Sequence, residues 1–313
     1  MTIPEISTDP HGGDGGRKPR IAIMGEFSVG KSTLSNLLLD QNPLPMKVTA
    51  TQLPPVWMSY GDGDPFREDL DGNTHPIDLN DLESVSLEDT AVIRIFMETE
   101  ILEMCDLIDM PGISDPNMAP EVWERVIQYA DSVLWCTHAT QAWRQSEAAV
   151  WKEMPESFRQ HSLLLITRID KLLTERDKMK VVKRVGRETA GLFGEIFPIS
   201  LTQAIASGED EDKWIASGAA AFAQSLVGLL EELSGTLGTA PLTGARLQQV
   251  TKPVQEAPLE QDAPPQNVIH IDDIQEAPKA ARSPAAGAII PSRVRVGASS
   301  GRATRRPVAR PSA

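Results

Sequence analysis

The 313-residue sequence is poor in cysteine and has no long apolar run. Its two cysteines, Cys105 and Cys136, both lie inside short apolar runs, which disfavours a disulfide framework and predicts two core thiols in a reducing compartment. No stretch approaches the roughly 20 apolar residues that a membrane-spanning helix requires. The N-terminal segment also lacks the charged start and apolar core of a secretory signal. These absences predict a cytoplasmic protein.

Several catalytic signatures are also missing. The five histidines are scattered without metal-ligand spacing: His11, His75, His138, His161 and His270. There is no G-x-S-x-G elbow, and no G-x-G-x-x-G pattern follows an apolar strand. A zinc site, a serine hydrolase and a dinucleotide-binding domain are therefore disfavoured.

Charge is divided unevenly along the chain. Residues 279–313 carry eight basic and no acidic side chains, whereas residues 1–278 carry 22 basic and 44 acidic ones, a net charge of −22. An acidic body argues against nucleic-acid binding by the globular part. The basic tail fits an anionic lipid surface, which would place the protein at the inner face of the membrane, or an acidic protein partner. A tail that only aids solubility remains an alternative.

The middle of the chain alternates short apolar runs with helical periodicity, which predicts a three-layer α/β domain with a mostly parallel central sheet. The predicted boundaries are a disordered leader at 1–18, a domain at 19–237 closed by a C-terminal helix, and a disordered Pro/Ala/Arg-rich tail at 238–313. The predicted strands are Ile21–Met24, Val56–Tyr60, Ala91–Met97, Met104–Met110, Val133–Thr137, Leu163–Thr167 and Phe197–Ile199. The predicted helices are Ser32–Leu39, Pro120–Tyr129, Gln141–Glu153, Thr174–Phe193 and Lys213–Leu233. Residues 61–90 are expected to form a hairpin and a short helix, Leu79–Val85.

A phosphate-binding loop follows the first predicted strand. The segment GEFSVGKST fits G-x-x-x-x-G-K-S and has the expected strand before it and helix after it. Its backbone N–H groups and the helix N-terminus would face phosphate oxygens, with Lys31 on the β and γ phosphates and the Ser32 hydroxyl on Mg²⁺. The nucleotide-binding residues predicted here are Gly25, Glu26, Phe27, Ser28, Val29, Gly30, Lys31, Ser32 and Thr33.

Two later strand ends complete the pattern of a nucleotide-binding protein. Asp109 and Gly112 form D-x-x-G, in which Asp109 would hold Mg²⁺ through water and the Gly112 N–H would touch the γ-phosphate. Thr167, Arg168, Asp170 and Lys171 belong to TRIDK, which resembles the N/T-K-x-D guanine motif with Arg in place of Lys. A carboxylate at 170 accepts two hydrogen bonds from guanine and repels the acceptor N1 of adenine, so a GTPase is favoured over an ATPase. Ser200-Leu201 resembles the fifth motif, whose backbone contacts guanine O6.

Taken with these motifs, the segments VTATQLPPVW and FPISLTQA make the chain similar to the dynamin superfamily of GTPases, in particular short bacterial dynamin-like proteins. The resemblance spans roughly residues 20–235. It implies that Thr51 is the switch threonine that closes on Mg²⁺ and the γ-phosphate, with Thr49 as the competing assignment. The long helical stalk of full-length dynamins has no counterpart here, so membrane remodelling cannot be carried over.

The sequence indicates less clearly which residues would carry out the hydrolysis of GTP. Ile113 stands where many small GTPases carry a water-orienting Gln, so slow intrinsic turnover is expected. The resemblance implies that two GTP-loaded domains pair as a homodimer across the nucleotide and that Ser28 helps bind K⁺. Lys31, Ser28 and Thr51 are then the predicted catalytic residues. The alternative is a GTP-dependent switch or scaffold with negligible turnover that presents its basic tail to a partner.

Overall fold

The computed structural model describes residues 16–40, 53–114 and 119–238. Strands in these ranges form one sheet in the order β4-β3-β5-β2-β6-β1-β7-β8-β9. Their bounds are β1 Arg20–Gly25, β2 Val56–Tyr60, β3 Phe66–Asp69, β4 Thr74–Pro76, β5 Thr90–Met97, β6 Asp106–Asp109, β7 Ser132–His138, β8 Leu163–Thr167 and β9 Glu195–Pro198.

The helices of the described residues cover both faces of this sheet. They are α1 Lys31–Leu39, α2 Glu100–Met104, α3 Glu121–Ile127, α4 Gln145–Glu153, α5 Phe158–His161, α6 Glu175–Glu188, α7 Leu201–Ile205, α8 Glu211–Ala216 and α9 Ala219–Leu237. Short 3-10 turns occur at Leu79–Ser84, Ala139–Gln141 and Ile169–Lys171. No helix among the described residues combines the length and the apolar character needed to cross a membrane.

Strand polarity places several loops at one edge of the sheet. The neighbours β6, β1, β7, β8 and β9 all run parallel, so their carboxyl ends meet at the same edge. Strand β2 runs antiparallel to β6, with Val56 opposite Asp109, and parallel to β5. The hairpin of β3 and β4 then extends the outer half of the sheet. The predicted mostly parallel sheet is confirmed.

The core lies on both faces of β1. Ile21 and Ile23 point into one apolar cluster, which includes Leu34 of α1 and Leu226 of α9. Ala22 and Met24 point into the other, which includes the following side chains of α3, α4 and α6: Val126, Trp151 and Val185. A strand that is buried on both faces needs a continuous apolar sequence, which explains RIAIMG. The three-layer α/β architecture is therefore confirmed.

The secondary-structure predictions hold with local corrections. Lys213–Leu233 is wrong as a single helix: Gly218 adopts φ 87°, and a Cβ there would lie 2.3 Å from the Pro198 carbonyl oxygen, so α8 and α9 are separate. Gln141–Glu153 begins as an α-helix only at Gln145, because Trp143 has φ 58°. The start of predicted strand Met104–Met110 belongs to α2. The hairpin and short helix predicted within 61–90 are confirmed.

Three segments with predictions of their own lie outside the described residues. These are residues 1–15 of the leader, the tail from 239, and the segment 41–52 that carries Thr49 and Thr51.

Candidate functional site

The phosphate-loop backbone depends on its glycines. Gly25 has φ 143°, and a Cβ there would lie 2.2 Å from the Cys136 carbonyl oxygen, so a larger residue would collide with β7. Gly30 precedes α1 with φ 100°, and no side chain of the described residues caps the helix there. Ser28 is also left-handed, with φ 59°. The loop therefore presents the uncapped, partially positive N-terminus of α1 at the edge of the sheet.

Lys31 folds back over this loop. Its ammonium Nζ donates hydrogen bonds to the carbonyl oxygens of Gly25 at 3.2 Å and Glu26 at 2.9 Å. Burial lowers the pKa of Lys31, while the negative charge of Asp109 opposes this change. The side chain is thus a buried cation beside the loop amides, which is the arrangement that a polyphosphate requires.

Asp109 ends β6 next to β1, where it pairs with Ile23. Its Oδ2 accepts a hydrogen bond from the Ser35 hydroxyl at 3.1 Å, one turn along α1 from Ser32. Because residues three apart share a helix face, Ser32 faces the same side as Asp109. Burial raises the pKa of Asp109 to about 6, against the attraction of Lys31. A buried carboxylate and a hydroxyl are hard oxygen donors, so this pair fits Mg²⁺.

A cluster of three or more His, Cys, Asp or Glu side chains able to hold a metal is not found in the described part of the chain. The donor set instead suits a cation shared with phosphate oxygens, as Mg²⁺ usually is.

The chain after Asp109 lies directly on the phosphate loop. The Ile113 N–H donates to the Gly25 carbonyl oxygen at 3.2 Å, and the Phe27 N–H donates to the Ser114 hydroxyl at 3.1 Å. A Cβ at Gly112 would lie 3.0 Å from the Phe27 Cα, so a larger residue would crowd this crossing. The segment 112–114 is therefore in direct contact with the loop.

The predicted base reader is tied to the phosphate loop through Thr167. This buried side chain shares its hydroxyl proton between the carbonyl oxygens of Val29 at 2.6 Å and Thr137 at 3.1 Å. Arg168 follows in a left-handed conformation, with φ 54°, and is exposed. Asp170 lies in the 3-10 turn, and its Oδ2 is 3.7 Å from the Lys171 Nζ.

The loop after β9 joins the same group. Ser200 is buried and caps α7 by accepting the Gln203 N–H at 3.4 Å. The Ile169 N–H donates to the Ile199 carbonyl oxygen at 3.3 Å, which connects this loop to the Asp170 turn. A Cβ at Gly30 would lie 3.4 Å from Leu201, so Leu201 borders the phosphate loop. Four loops that were predicted separately therefore meet in one place.

Sequence reasoning missed three side chains at this edge. Ser35 contacts Asp109, and Arg144 forms an ion pair with Glu26 at 2.8 Å. His138 ends β7, and its pKa is lowered by burial and then by the nearby cations Arg168 and Arg144. Only Ser35 had a local signal, since it lies three residues after Ser32 on a predicted helix.

Comparison with known proteins shows which family this chain resembles. The model of the dynamin family matches residues 21–169. Dynamin-like protein 2 of Campylobacter jejuni subsp. jejuni serotype O:23/36 (strain 81-176) is 25% identical over 223 residues, which cover 69% of this chain and 35% of that protein. The chain thus spans about a third of the length of this relative.

Solved structures show the same fold. Two chains of an oligomerised bacterial dynamin pair, described as providing a mechanism for the long-range sensing and tethering of membranes, align with TM-scores of 0.50 and 0.54. Their identities are 21% and 17%; each match covers 75% of this chain and 36% or 41% of the other. The family match begins in β1 and ends in the turn after β8, and so takes in the phosphate loop, Asp109 and Thr167. We conclude that residues 21–169 form a GTPase domain of the dynamin family.

Proposed function

We propose that this protein binds GTP with Mg²⁺ and hydrolyses it to GDP and phosphate. The observation that carries the proposal is the Thr167 hydroxyl, which joins the predicted guanine-reading turn to the Val29 carbonyl of the phosphate loop. That bond fixes the spacing between a site for a base and a site for phosphates. A ligand that has both parts, a nucleotide, fits this spacing.

The triphosphate would be held by the loop from Gly25 to Thr33. Backbone N–H groups and the N-terminus of α1 would bind its oxygens, and Lys31 would reach the β and γ phosphates. Ser32 would hold Mg²⁺ directly and Asp109 through water, with Thr51 as the proposed third contact. Bound Mg²⁺ would offset the charge that develops on the phosphate oxygens.

Guanine would be selected by Asp170. Its carboxylate is half-buried in a turn in which Ile169, the residue before it, is buried and hydrogen-bonded to the loop after β9. A carboxylate in a fixed position accepts from guanine N1–H and N2–H₂, whereas adenine offers an acceptor at N1. Arg168 and Lys171 are exposed beside it and would cover the face of the base, while the backbone of Ser200 and Leu201 would contact guanine O6.

Hydrolysis would be completed by a second copy of the chain. Neither Ile113 nor Phe27 has a side chain that can hydrogen-bond water, so neither would orient the attacking water. Phe27 is 60% exposed and Ser28 is exposed on the same loop, which leaves both available to a partner domain across the nucleotide. Ser28 would then contribute to a K⁺ site that offsets charge between the β and γ phosphates.

A second candidate is a GTP-dependent switch with negligible turnover. The apolar Ile113 after D-x-x-G supports it, as do the contacts of segment 112–114 with the phosphate loop, which give nucleotide state a route to the chain beyond. In this case the basic segment 279–313 would engage an acidic protein or an anionic membrane. The solved relatives that tether membranes are consistent with a peripheral membrane location.

Phosphate release by the purified full chain separates these candidates. The rate per molecule is measured over a range of protein concentrations, with Mg²⁺ and with either K⁺ or Na⁺. Dimer-stimulated hydrolysis predicts that the rate rises with concentration and is higher in K⁺, and that Lys31→Ala is inactive. Turnover that is flat with concentration contradicts dimer stimulation, and binding without turnover favours the switch.

A further inference from the structure

A carboxylate is buried inside the phosphate loop. Glu26, the second residue of the loop, is 7% exposed. Its Oε2 accepts a hydrogen bond from Arg144 Nη1 at 2.8 Å, and its Oε1 accepts one from the Ser146 hydroxyl at 2.5 Å. Its backbone oxygen accepts from the Lys31 ammonium at 2.9 Å. One residue therefore connects the phosphate-binding lysine to an arginine 118 positions along the chain.

This position creates an electrostatic problem for a nucleotide. The triphosphate of GTP is highly anionic, and a buried carboxylate beside its binding loop would repel it across a medium that screens charge poorly. Arg144 removes the problem, since its guanidinium cancels the charge of Glu26 at hydrogen-bonding distance. The Glu26 carboxylate then pairs with Arg144 and not with the Lys31 ammonium, which bonds Glu26 only at its backbone oxygen.

Arg144 is held on a rigid support. Its backbone N–H donates to Glu147 Oε2 at 2.8 Å, and the buried Glu147 also accepts from Trp135 Nε1 at 3.0 Å and Thr137 Oγ1 at 2.9 Å. Trp143, the residue before Arg144, donates its N–H to Thr137 Oγ1 at 2.9 Å. The backbone that carries the guanidinium is therefore held by hydrogen bonds to buried side chains, unlike that of an ordinary surface arginine.

We infer that Arg144 is a positioning residue for the nucleotide, which neutralises Glu26 and so lets a triphosphate enter the loop. The inference rests on the proposed GTP binding. It predicts that the contribution of Arg144 grows with the negative charge of the ligand, so GTP depends on it more than GDP does. It also predicts that Arg144 becomes dispensable once Glu26 carries no charge.

The test is a double-mutant cycle on the full chain with Arg144→Gln, Glu26→Gln and the double variant. Affinities for a fluorescent, non-hydrolysable GTP analogue and for fluorescent GDP are measured with Mg²⁺, and thermal unfolding confirms that each variant folds. We expect Arg144→Gln to lower the affinity for the GTP analogue by about tenfold or more and the affinity for GDP by a smaller factor. The double variant should recover to within about threefold of the unaltered protein.

Arg159→Gln is the matched control. Arg159 has the same side-chain exposure, 45% against 44% for Arg144, and it also pairs with a glutamate, Glu156, at 3.1 Å. This variant should bind like the unaltered protein. Arg144→Gln binding at full affinity, or a double variant as weak as Arg144→Gln, would overturn the inference. Failure of the unaltered protein to bind any guanine nucleotide would instead overturn the proposed function.

Discussion

The Ser35 hydroxyl touches both the carboxylate of Asp109 and its own helix. Ser35 Oγ lies 3.1 Å from Asp109 Oδ2 and 3.2 Å from the Lys31 carbonyl oxygen, and its side chain is buried. The hydroxyl therefore fixes the orientation of the carboxylate that is proposed to hold Mg²⁺ through water. Such an interaction with a charged group contributes more than a neutral hydrogen bond does.

Ser35→Ala should raise the Mg²⁺ concentration needed for tight nucleotide binding. Hydrogen bonds to charged groups contribute about 1.5–3 kcal/mol, so a shift of about tenfold is expected. The measurement is nucleotide affinity during a Mg²⁺ titration, and Ser35→Thr, which keeps the hydroxyl, is the control. An unchanged Mg²⁺ dependence in Ser35→Ala would show that the contact does not orient Asp109.

Thr167→Val should weaken the contact between the predicted guanine-reading turn and the phosphate loop. Valine has nearly the shape of threonine but cannot donate to the buried carbonyl oxygen of Val29, a loss of about 1–3 kcal/mol in unfolding free energy. Guanine-nucleotide affinity should fall in parallel, because the loop loses its tie to β8. Urea unfolding and nucleotide titration are the measurements. Thr167→Ser, which keeps the hydroxyl, is the control and should retain both the stability and the nucleotide affinity. A valine variant as stable and as tight-binding as the unaltered protein is the contrary result.

Gly112→Ala should impair nucleotide binding and turnover together. The added Cβ would lie 3.0 Å from both the Cα and the N of Phe27, which are backbone atoms and less easily displaced than the end of a side chain. The crossing segment would shift away from the phosphate loop. Gly228→Ala in α9 is the control, since a Cβ there has no described atom within 4 Å and should add about 1 kcal/mol of stability. Equal activity in the two variants would contradict the assignment of this contact.

Asp170→Asn should remove the preference for guanine. An amide at this position offers a donor where guanine N2–H₂ also donates, so GTP affinity should fall by about a hundredfold or more. Xanthine, which carries an oxygen at C2, should bind better than guanine. Competition among GTP, ATP and xanthosine triphosphate is the measurement, with Glu175→Gln at the exposed start of α6 as the control. Undiminished GTP affinity would place the base elsewhere.

The contribution of Asp109 to the stability of the nucleotide-free protein should fall as the pH rises from about 4 to about 6. Burial raises the pKa of Asp109 to about 6 in the folded protein, against 3.8 ordinarily, so the folded state keeps this proton after the unfolded chain has lost it. The contribution of this group changes by at most about 1.4 kcal/mol per pH unit and levels off about one pH unit above its folded pKa. Urea unfolding with chelator, compared between the unaltered protein and Asp109→Asn, isolates it. A stability difference between the two that is constant across this range would contradict the prediction.

The sequence predicts the parts of the site that depend on neighbouring residues. Gly25, Asp109 and Thr167 stand at strand ends, and parallel strands bring such ends to one edge of a sheet. The contact of Arg144 with Glu26 was not predictable in this way, because it joins two segments with no shared pattern.

Helix breaks were missed for a related reason. The apolar periodicity of 213–233 continues across Gly218, so the pattern predicts one helix. The break is caused by the close approach of Gly218 to the Pro198 carbonyl oxygen, a tertiary contact that local sequence does not contain. The local sequence therefore predicted the loops at the strand ends. Long-range contacts, which the local sequence does not contain, determine the segments that pack against these loops.

The reversal of direction between β6 and β2 has a mechanical consequence. Since Val56 is paired with Asp109, the polypeptide enters the outer half of the sheet alongside the proposed metal-binding carboxylate. Strand β5 pairs with β2 and the β3–β4 hairpin extends from β5, so these strands form one hydrogen-bonded ribbon that starts at that point. A shift of the Asp109 backbone would therefore act directly on the first hydrogen-bonded pair of this ribbon.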